Sequence, residues 1–461
     1  MRGLPIGYTL SGKKLRYETI RNGVKKPGES SLFLCGPPRS GKGTGLLVPM
    51  LLEYEGSAIV ISAKPDLCAI TAEHRRKRLK QDVLLLNAFN AEPDYIGHLP
   101  HCGLDPLYGL DPSDDSFGLD CDSHGESIVP VDPQESQKHF PESGQMFVSG
   151  TIMGVVKYGP PEKRNLVTVY DAICGGAFFQ FAQEMAAKCD SLLTGRLGRA
   201  AAPGAGDNKE IVSMHSSAVT ALRFMGNTAV MRLLSPASGQ RMIRWEDLRK
   251  RPTTVYIIVP VEYLSPCSRV LRLAVASAIM RLLKHTSGLP VLLMIDEFAA
   301  LGHMAIVENT MALQAGLNLT MLPVIQSADQ LKIYGDRMHS FLSCAGCQIF
   351  LPPRDMFTAR LISELCGQTE VIAQSRSVSI DPKTGEPHVS DTVSQQGRAL
   401  LLPDDVMALG RNEMLIRMEG VPNVILANHR PYFATREYNG LWSPDPYHDG
   451  KNGGLFARLF R

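Results

Sequence analysis

The sequence has no apolar run of the roughly 18 residues that a membrane-spanning helix requires. Its longest, around Val255–Pro260 and Leu289–Ile295, are strand-length, so the chain as given is not expected to cross a bilayer. Neither sign of charge is in excess. Lys and Arg number 48 against 46 Asp and Glu, a formal net charge of +2, which excludes a protein that coats nucleic acid through bulk charge and leaves only a local basic surface for that purpose. The ten cysteines fall at irregular intervals behind no secretory signal. A disulfide framework is therefore not expected and a reducing cytoplasm is. Cys344 and Cys347 form one CxxC with no partner pair at finger-like spacing, and they are expected to be buried and reduced rather than to hold zinc. With 44% hydrophobic and 20% charged residues, wholesale disorder is excluded. The 461 residues suffice for two or three domains around a large core.

What is present is a change of pattern along the chain. Short extended stretches among turn residues, Tyr8–Leu10 and Leu15–Ile20, predict a β-hairpin within residues 1–30. From Ser31 the order becomes strand (Leu32–Cys35), glycine-rich turn, helix (Lys42–Tyr54), strand (Ala58–Ser62), helix (Asp66–Arg78) and strand (Val83–Leu86). Such alternation predicts a parallel sheet wrapped in helices. Between Asp105 and Glu142 ten acids face a single Lys, with Pro, Gly and Ser throughout, which predicts an acidic surface insertion. Its Asp111–Gly118 stretch lacks calcium-loop spacing. Helical patches at Met146–Tyr158, Val167–Lys188 and Met214–Leu234 predict a mostly helical unit. After Pro252 the alternation resumes with strands Thr254–Val259, Val291–Ile295 and Leu319–Ile325 and helices Ser268–Lys284 and His303–Ala315. A helix at Arg354–Cys366, short strands at Met414–Met418 and Val424–Ala427, and a loosely ordered tail from Tyr438 complete the reading.

Two motifs carry chemistry. Gly36-Pro37-Pro38-Arg39-Ser40-Gly41-Lys42-Gly43-Thr44 has Walker A spacing, follows a predicted strand and opens a predicted helix. Its glycines let the backbone curl so that consecutive N–H groups face a phosphate, and the helix N-terminus adds positive charge. Residues Gly36 to Gly45 are thus the expected ATP-binding set, with Lys42 reaching the β- and γ-phosphates. The usual pattern has Ser or Thr after the lysine to hold Mg2+. Here that place is Gly43, and Thr44 or a water is left to complete the magnesium site. The second motif is the apolar run Leu289–Ile295 ending in Asp296 and Glu297. A strand of this kind delivers both acids to the sheet edge beside the phosphate loop, Asp296 for the magnesium shell and Glu297 to polarise the attacking water. Strand Leu319–Ile325 ends at Gln326, whose amide is placed to sense the γ-phosphate. Arg354 and Arg360 are candidates for an arginine supplied to a neighbouring subunit. Two basic clusters, His74–Lys80 and Arg241, Arg244, Arg249, Lys250 and Arg251, read as helix-end charge and as a candidate DNA contact. The apolar, basic Leu455–Arg461 is either a docking segment or a frayed end.

The resulting expectation is an α/β fold: a RecA-like P-loop domain with a parallel-rich sheet, in two pieces (31–144 and 240–437) and carrying the acidic insertion at 105–142. A hairpin segment (1–30) precedes it, an all-α domain (145–239) interrupts it, and a C-terminal tail (438–461) follows.

Gly36–Gly43, Asp296-Glu-Phe-Ala-Ala-Leu-Gly302 and Gln326-Ser-Ala-Asp-Gln-Leu331 together resemble the TraG-type coupling proteins of type IV secretion and bacterial conjugation. Pro252–Pro260, Leu104–Leu107 and Gln396–Arg398 ahead of Leu400–Pro403 match in the same order. The resemblance implies an ATP- and Mg2+-dependent hydrolase assembled as a homo-hexamer. It would pass single-stranded DNA bound to its relaxase, or protein effectors, to a type IV secretion channel at the cytoplasmic face of the bacterial inner membrane, with single-stranded DNA stimulating turnover. Glycine after Lys42 is tolerated in that family. Most members begin with membrane helices, and this chain begins at Met1 with none. Either those helices were removed or the chain is of a helix-free branch that reaches the membrane only through partners. Two other readings compete: an FtsK-like translocase of double-stranded DNA, which needs a DNA-reading accessory domain not seen at the C-terminus, and a nucleotide-gated cargo adaptor without motor activity, which has no use for the Asp296–Glu297 pair.

Overall fold

A computed structural model describes residues 3–21, 24–27, 30–131, 138–236, 239–313, 316–380 and 387–447. The described chain opens with strands β1 (Leu4–Thr9), β2 (Lys14–Arg21) and β3 (Val24–Pro27). It continues through β4 (Ser31–Cys35), β5 (Ser57–Ser62), β6 (Asp82–Leu86), β7 (Thr253–Ile258), β8 (Val291–Ile295), β9 (Leu319–Ile325) and β10 (Ala345–Phe350). Strands β11 (Gln368–Ile380) and β12 (Pro387–Ala399) pair only with each other, and β13 (Glu413–Met418) and β14 (Ile425–Asn428) follow. All but that ribbon join one 12-stranded sheet in the order β3-β2-β1-β14-β13-β10-β4-β9-β8-β5-β7-β6.

From β10 to β6 every neighbouring pair is parallel, and from β13 to β3 every pair is antiparallel. The parallel strands are nearly continuous apolar runs because both of their faces are covered. Alternate residues go to opposite cores. Leu32 and Leu34 of β4 join Leu292 and Met294 of β8 on the face under helices Val48–Glu53 and Asp66–Lys77. Phe33, Cys35, Leu293 and Ile295 face the other way, toward helix Ser268–Lys284 and the helical unit beyond it.

That unit lies between β6 and β7 in sequence and is built of helices His139–Tyr158, Leu166–Cys174, Phe178–Ala186, Ser191–Ala201, Lys209–Ala221 and Thr228–Leu234. Asn165, Asp190, Asn208 and Asn227 each cap one of them by accepting from a backbone N–H of its first turn, which fixes where those helices start. Among the described residues no helix is long and apolar enough to cross a membrane.

The structure departs from the sequence reading in four places. The described part of the acidic stretch is a solvated loop only in part: residues 111–116 are turns and mostly exposed, but Phe117–Ile128 is a helix with Phe117, Cys121 and Ile128 buried. Three of its acids are neutralised laterally, Asp114 and Asp120 by Lys284 at 2.6 Å each and Asp122 by Arg196 at 2.5 Å. The expected N-terminal hairpin is present, β1 pairing antiparallel with β2, but it is not a separate segment, since β1 also pairs with β14 and so extends the sheet. The tail is packed as far as Asp445: Tyr438 and Asp445 are buried, Trp442 lies against the core and the Ser443 N–H donates to Ile70 O at 3.0 Å. Residues Leu455–Arg461 lie outside the described chain. Finally, the ribbon β11–β12 is an addition that the sequence reading lacked.

Candidate functional site

Strand order does most of the positioning. β9 lies between β4 and β8, so the turns leaving these three parallel strands emerge side by side at one sheet edge, where ligands of open α/β sheets bind. Sheet-like hydrogen bonds continue just past the strand ends and fix where each turn begins. Gly36 N–H donates to Ile325 O at 3.0 Å, and Asp296 N–H donates to Ile61 O at 2.9 Å.

The turn after β4 curls through two left-handed residues, Arg39 at φ 61° and Gly41 at φ 92°. Its helix starts with a π-wound turn, Gly43–Leu47, before regular winding at Val48–Glu53. Such i→i+5 turns inside helices recur at functional sites. The Lys42 ammonium folds back onto Gly36 O at 2.6 Å and Pro37 O at 3.1 Å. Ser40 Oγ is buried and has no hydrogen-bond partner among the described residues. A turn with two left-handed residues that opens a helix, an ammonium folded onto loop carbonyls and, among the described residues, an orphaned buried hydroxyl are features that suit a phosphate chain. A Cβ placed on Gly43 would meet no atom within 4 Å, so the position that usually bears the magnesium hydroxyl has room for one and lacks it.

Across the edge, Asp296 and Glu297 follow β8 directly. Burial, then the neighbouring Glu297 and Asp66 charges, push the Asp296 carboxyl up to about 7. Burial pushes the Lys42 ammonium below its ordinary value, opposed by the fields of Asp296 and Glu297. Gln326, at the end of the intervening strand, donates its amide to both oxygens of Glu297 at 3.1 and 3.3 Å, while its own N–H donates to Gln330 Oε1 at 2.8 Å. Walker-type loop, acid pair and amide are therefore brought together.

Sequence reasoning missed Lys64 and Asp66. They follow β5, the strand on the far side of β8, and their charges act on Asp296 from that side. The signal was available, because alternating strands and helices put successive strand ends on one edge. The two arginine candidates are separated. Arg354 lines a groove of ≈ 470 Å³ with Pro37, Pro38, Gln326, Gln330 and Phe357, whereas Arg360 is on the exposed face of helix Met356–Cys366.

The basic clusters are largely occupied internally. Arg75 is fully buried and donates to Thr254 Oγ1 and to the carbonyls of Leu51, Tyr54 and Gly56. Arg249 is buried on the carbonyls of His285, Leu289, Asn318 and Leu317. Arg241 and Arg251 share Asp82.

A family model described as type IV secretory system conjugative DNA transfer matches residues 11–440. Protein VirD4 of Rhizobium radiobacter is 26% identical over 420 residues, covering 89% of this chain and 58% of its own length. The conjugal transfer protein TraG of Escherichia coli is 25% identical over 413 residues, covering 84% and 62%. The chain thus spans less than two thirds of these relatives. Among solved structures, the bacterial conjugative coupling protein TrwBdeltaN70 in its unbound form superposes with a TM-score of 0.67 at 14% identity, covering 93% of both chains. TrwB in complex with ADP and Mg2+ gives 0.66 at 14% identity, covering 94% of both. At that identity the likeness is one of fold, and the fold is RecA-like.

Proposed function

Because this chain belongs to the type IV secretory system conjugative DNA transfer family, we propose that it is an ATP-hydrolysing coupling protein, one that recruits relaxase-bound DNA or protein substrates and helps move them into a type IV secretion channel. The observation that carries this reading is the convergence of Lys42, Asp296, Glu297 and Gln326 on one sheet edge, with the Gln326 amide holding the Glu297 carboxylate.

In this reading the backbone N–H groups from Gly41 to Thr44 cradle the phosphates, and Lys42 exchanges the carbonyls of Gly36 and Pro37 for phosphate oxygens. Glu297 is the base that orients and deprotonates the attacking water, a function worth roughly 10²–10⁴-fold in rate. Gln326, resting on that base, reports whether the terminal phosphate is present. Bound Mg2+ would neutralise charge developing on the phosphates, with Asp296 in its shell and the Thr44 hydroxyl as the nearest substitute for the one Gly43 lacks. The π-wound turn supports Thr44, since an extra residue per turn alters which side chain faces the loop.

A base of this kind serves a motor better than an adaptor, and a ring of six copies, stimulated by single-stranded DNA, is the working form. Arg354 is the arginine offered to a neighbour's site, and Arg360 is the weaker alternative. The place of action is the cytoplasmic face of the bacterial inner membrane.

ATP turnover with and without single-stranded DNA, in the starting chain and in Lys42→Ala and Glu297→Gln, tests this. Turnover that rises with single-stranded DNA and is lost in both variants is expected. Turnover driven only by duplex DNA would favour a double-stranded translocase, and none under any condition would sink the motor.

A further inference from the structure

β14 ends at Asn428, and the next residue turns an imidazole beneath the phosphate loop. His429 is 3% exposed. Its N–H donates to Asn412 O at 2.9 Å, and its Nε2 lies 3.3 Å from Arg411 O. A Cβ built on Gly41 would fall inside the van der Waals surface of the ring at Cε1, and one built on Gly45 would do so at Nδ1. These two glycines bracket Lys42, and the Gly45 N–H donates to Gly41 O at 2.7 Å, closing the turn over the ring.

Gly41 needs to be glycine for its left-handed backbone alone. Gly45 does not: it lies in the π-wound turn with no positive φ, so any residue could adopt its backbone. The imidazole, occupying the space of a side chain, is what demands glycine there. Close-packed interiors transmit such contacts with little give, so the ring fixes the height and curvature of the loop on both sides of the lysine. Burial holds the imidazole below its ordinary pKa, so the wedge carries no charge near pH 7 and acts by shape.

We propose that His429 is a positioning residue of the nucleotide site: a wedge on the antiparallel flank of the sheet that sets the phosphate loop's curvature through Gly41 and Gly45. The proposal rests on the reading of that loop as a nucleotide site. It predicts a split between binding and chemistry, because a loosened loop binds phosphate less well while Glu297 and Gln326 stay in place.

The test uses the full chain, N-methylanthraniloyl-ADP with Mg2+ as the fluorescent probe, and ATP turnover. His429→Ala is expected to weaken probe binding about tenfold and raise KM similarly, with kcat within a few-fold. His429→Phe, which keeps the ring, is expected to retain most of the affinity. Gly45→Ala is expected to weaken binding by colliding with the ring, and Gly45→Ala combined with His429→Ala to bind better than Gly45→Ala alone. That reversal reads packing even if His429→Ala by itself is poorly folded. Unchanged affinity in His429→Ala, or a double variant no better than Gly45→Ala, overturns the wedge. If the starting chain fails to bind the probe, or Lys42→Ala binds it equally well, the nucleotide reading falls and takes the wedge with it.

Discussion

The side-chain amide of Gln326 donates to both carboxylate oxygens of Glu297, at 3.1 and 3.3 Å. The two residues end adjacent parallel strands, β9 and β8, so the contact follows from sheet order and needs no long-range adjustment. A carboxylate gripped on both oxygens by one amide has a single orientation relative to the phosphate loop beside it, and a movement of β9 against β8 must break that grip.

Glu297→Gln should lower ATP turnover by about 10²–10⁴-fold while leaving N-methylanthraniloyl-ADP binding close to that of the starting chain. Gln326→Ala, which removes orientation but keeps the base, should lower turnover by a smaller factor, about 10-fold to 100-fold. Steady-state turnover and equilibrium binding on the same preparations check both. Equal losses in the two variants would mean that Gln326 does more than hold Glu297.

Thr44→Val keeps the shape of the side chain and removes the hydroxyl. If that hydroxyl completes the magnesium shell, the concentration of Mg2+ needed for half-maximal turnover should rise about tenfold, with metal-free ADP binding little changed. Gly43→Ser has open space for its Cβ and puts a hydroxyl where other phosphate loops carry one. It should fold normally and, combined with Thr44→Val, recover the lost magnesium response. A titration of turnover against Mg2+ measures both effects.

The parallel half of the sheet and the phosphate loop were legible because their signals are local: apolar runs of strand length, a glycine turn, two acids at a strand end. The antiparallel flank was not, since β1 and β14 are brought together by a contact across nearly the whole chain. His429 was invisible for the same reason: nothing near it in sequence marks it as lying under Gly41 and Gly45. The helix Phe117–Ile128 was hidden by its acids, whose neutralising cations, Lys284 and Arg196, come from other helices. The ribbon β11–β12 was missed because it packs on no second sheet. One of its faces carries Ile372, Val378, Val389 and Val393, all exposed, while the serines and threonines between them blur the strand pattern.

Asp296 sets a pH dependence of stability. Its carboxyl titrates near 7 in the fold against an ordinary value of 3.8, so between these limits the folded chain binds the proton more tightly than the unfolded one. The sign is therefore a loss of stability as pH rises from about 4 to about 7, of order a few kcal/mol once complete. Below pH 4 both states are protonated and the contribution vanishes. Asp296→Asn, neutral at every pH, should raise the melting temperature of the nucleotide-free, Mg2+-free protein at pH 8 and leave it nearly unchanged at pH 4. Thermal melts across that range check the slope, and an equal gain at both pH values would assign the effect to something other than this charge.

Arg354 and Arg360 are four residues beyond and ten beyond the end of β10, and their surroundings predict different consequences. Arg354 lies in the groove beside Gln326 and the loop prolines, whereas Arg360 projects from the exposed face of its helix. Arg354→Ala should therefore reduce DNA-stimulated turnover by about 10³-fold and Arg360→Ala by little. Mixing decides which subunit's site Arg354 serves. In a ring where it acts on the neighbour, equimolar Arg354→Ala and Lys42→Ala chains rebuild some complete sites, an intact loop in one subunit facing an intact arginine in the next. Turnover should then recover to a measurable fraction of the starting protein's, although each variant alone is inactive. No recovery would place the arginine in its own subunit's site, as the groove it shares with Pro37 and Gln326 also permits. Full activity in Arg354→Ala would remove it from the chemistry altogether.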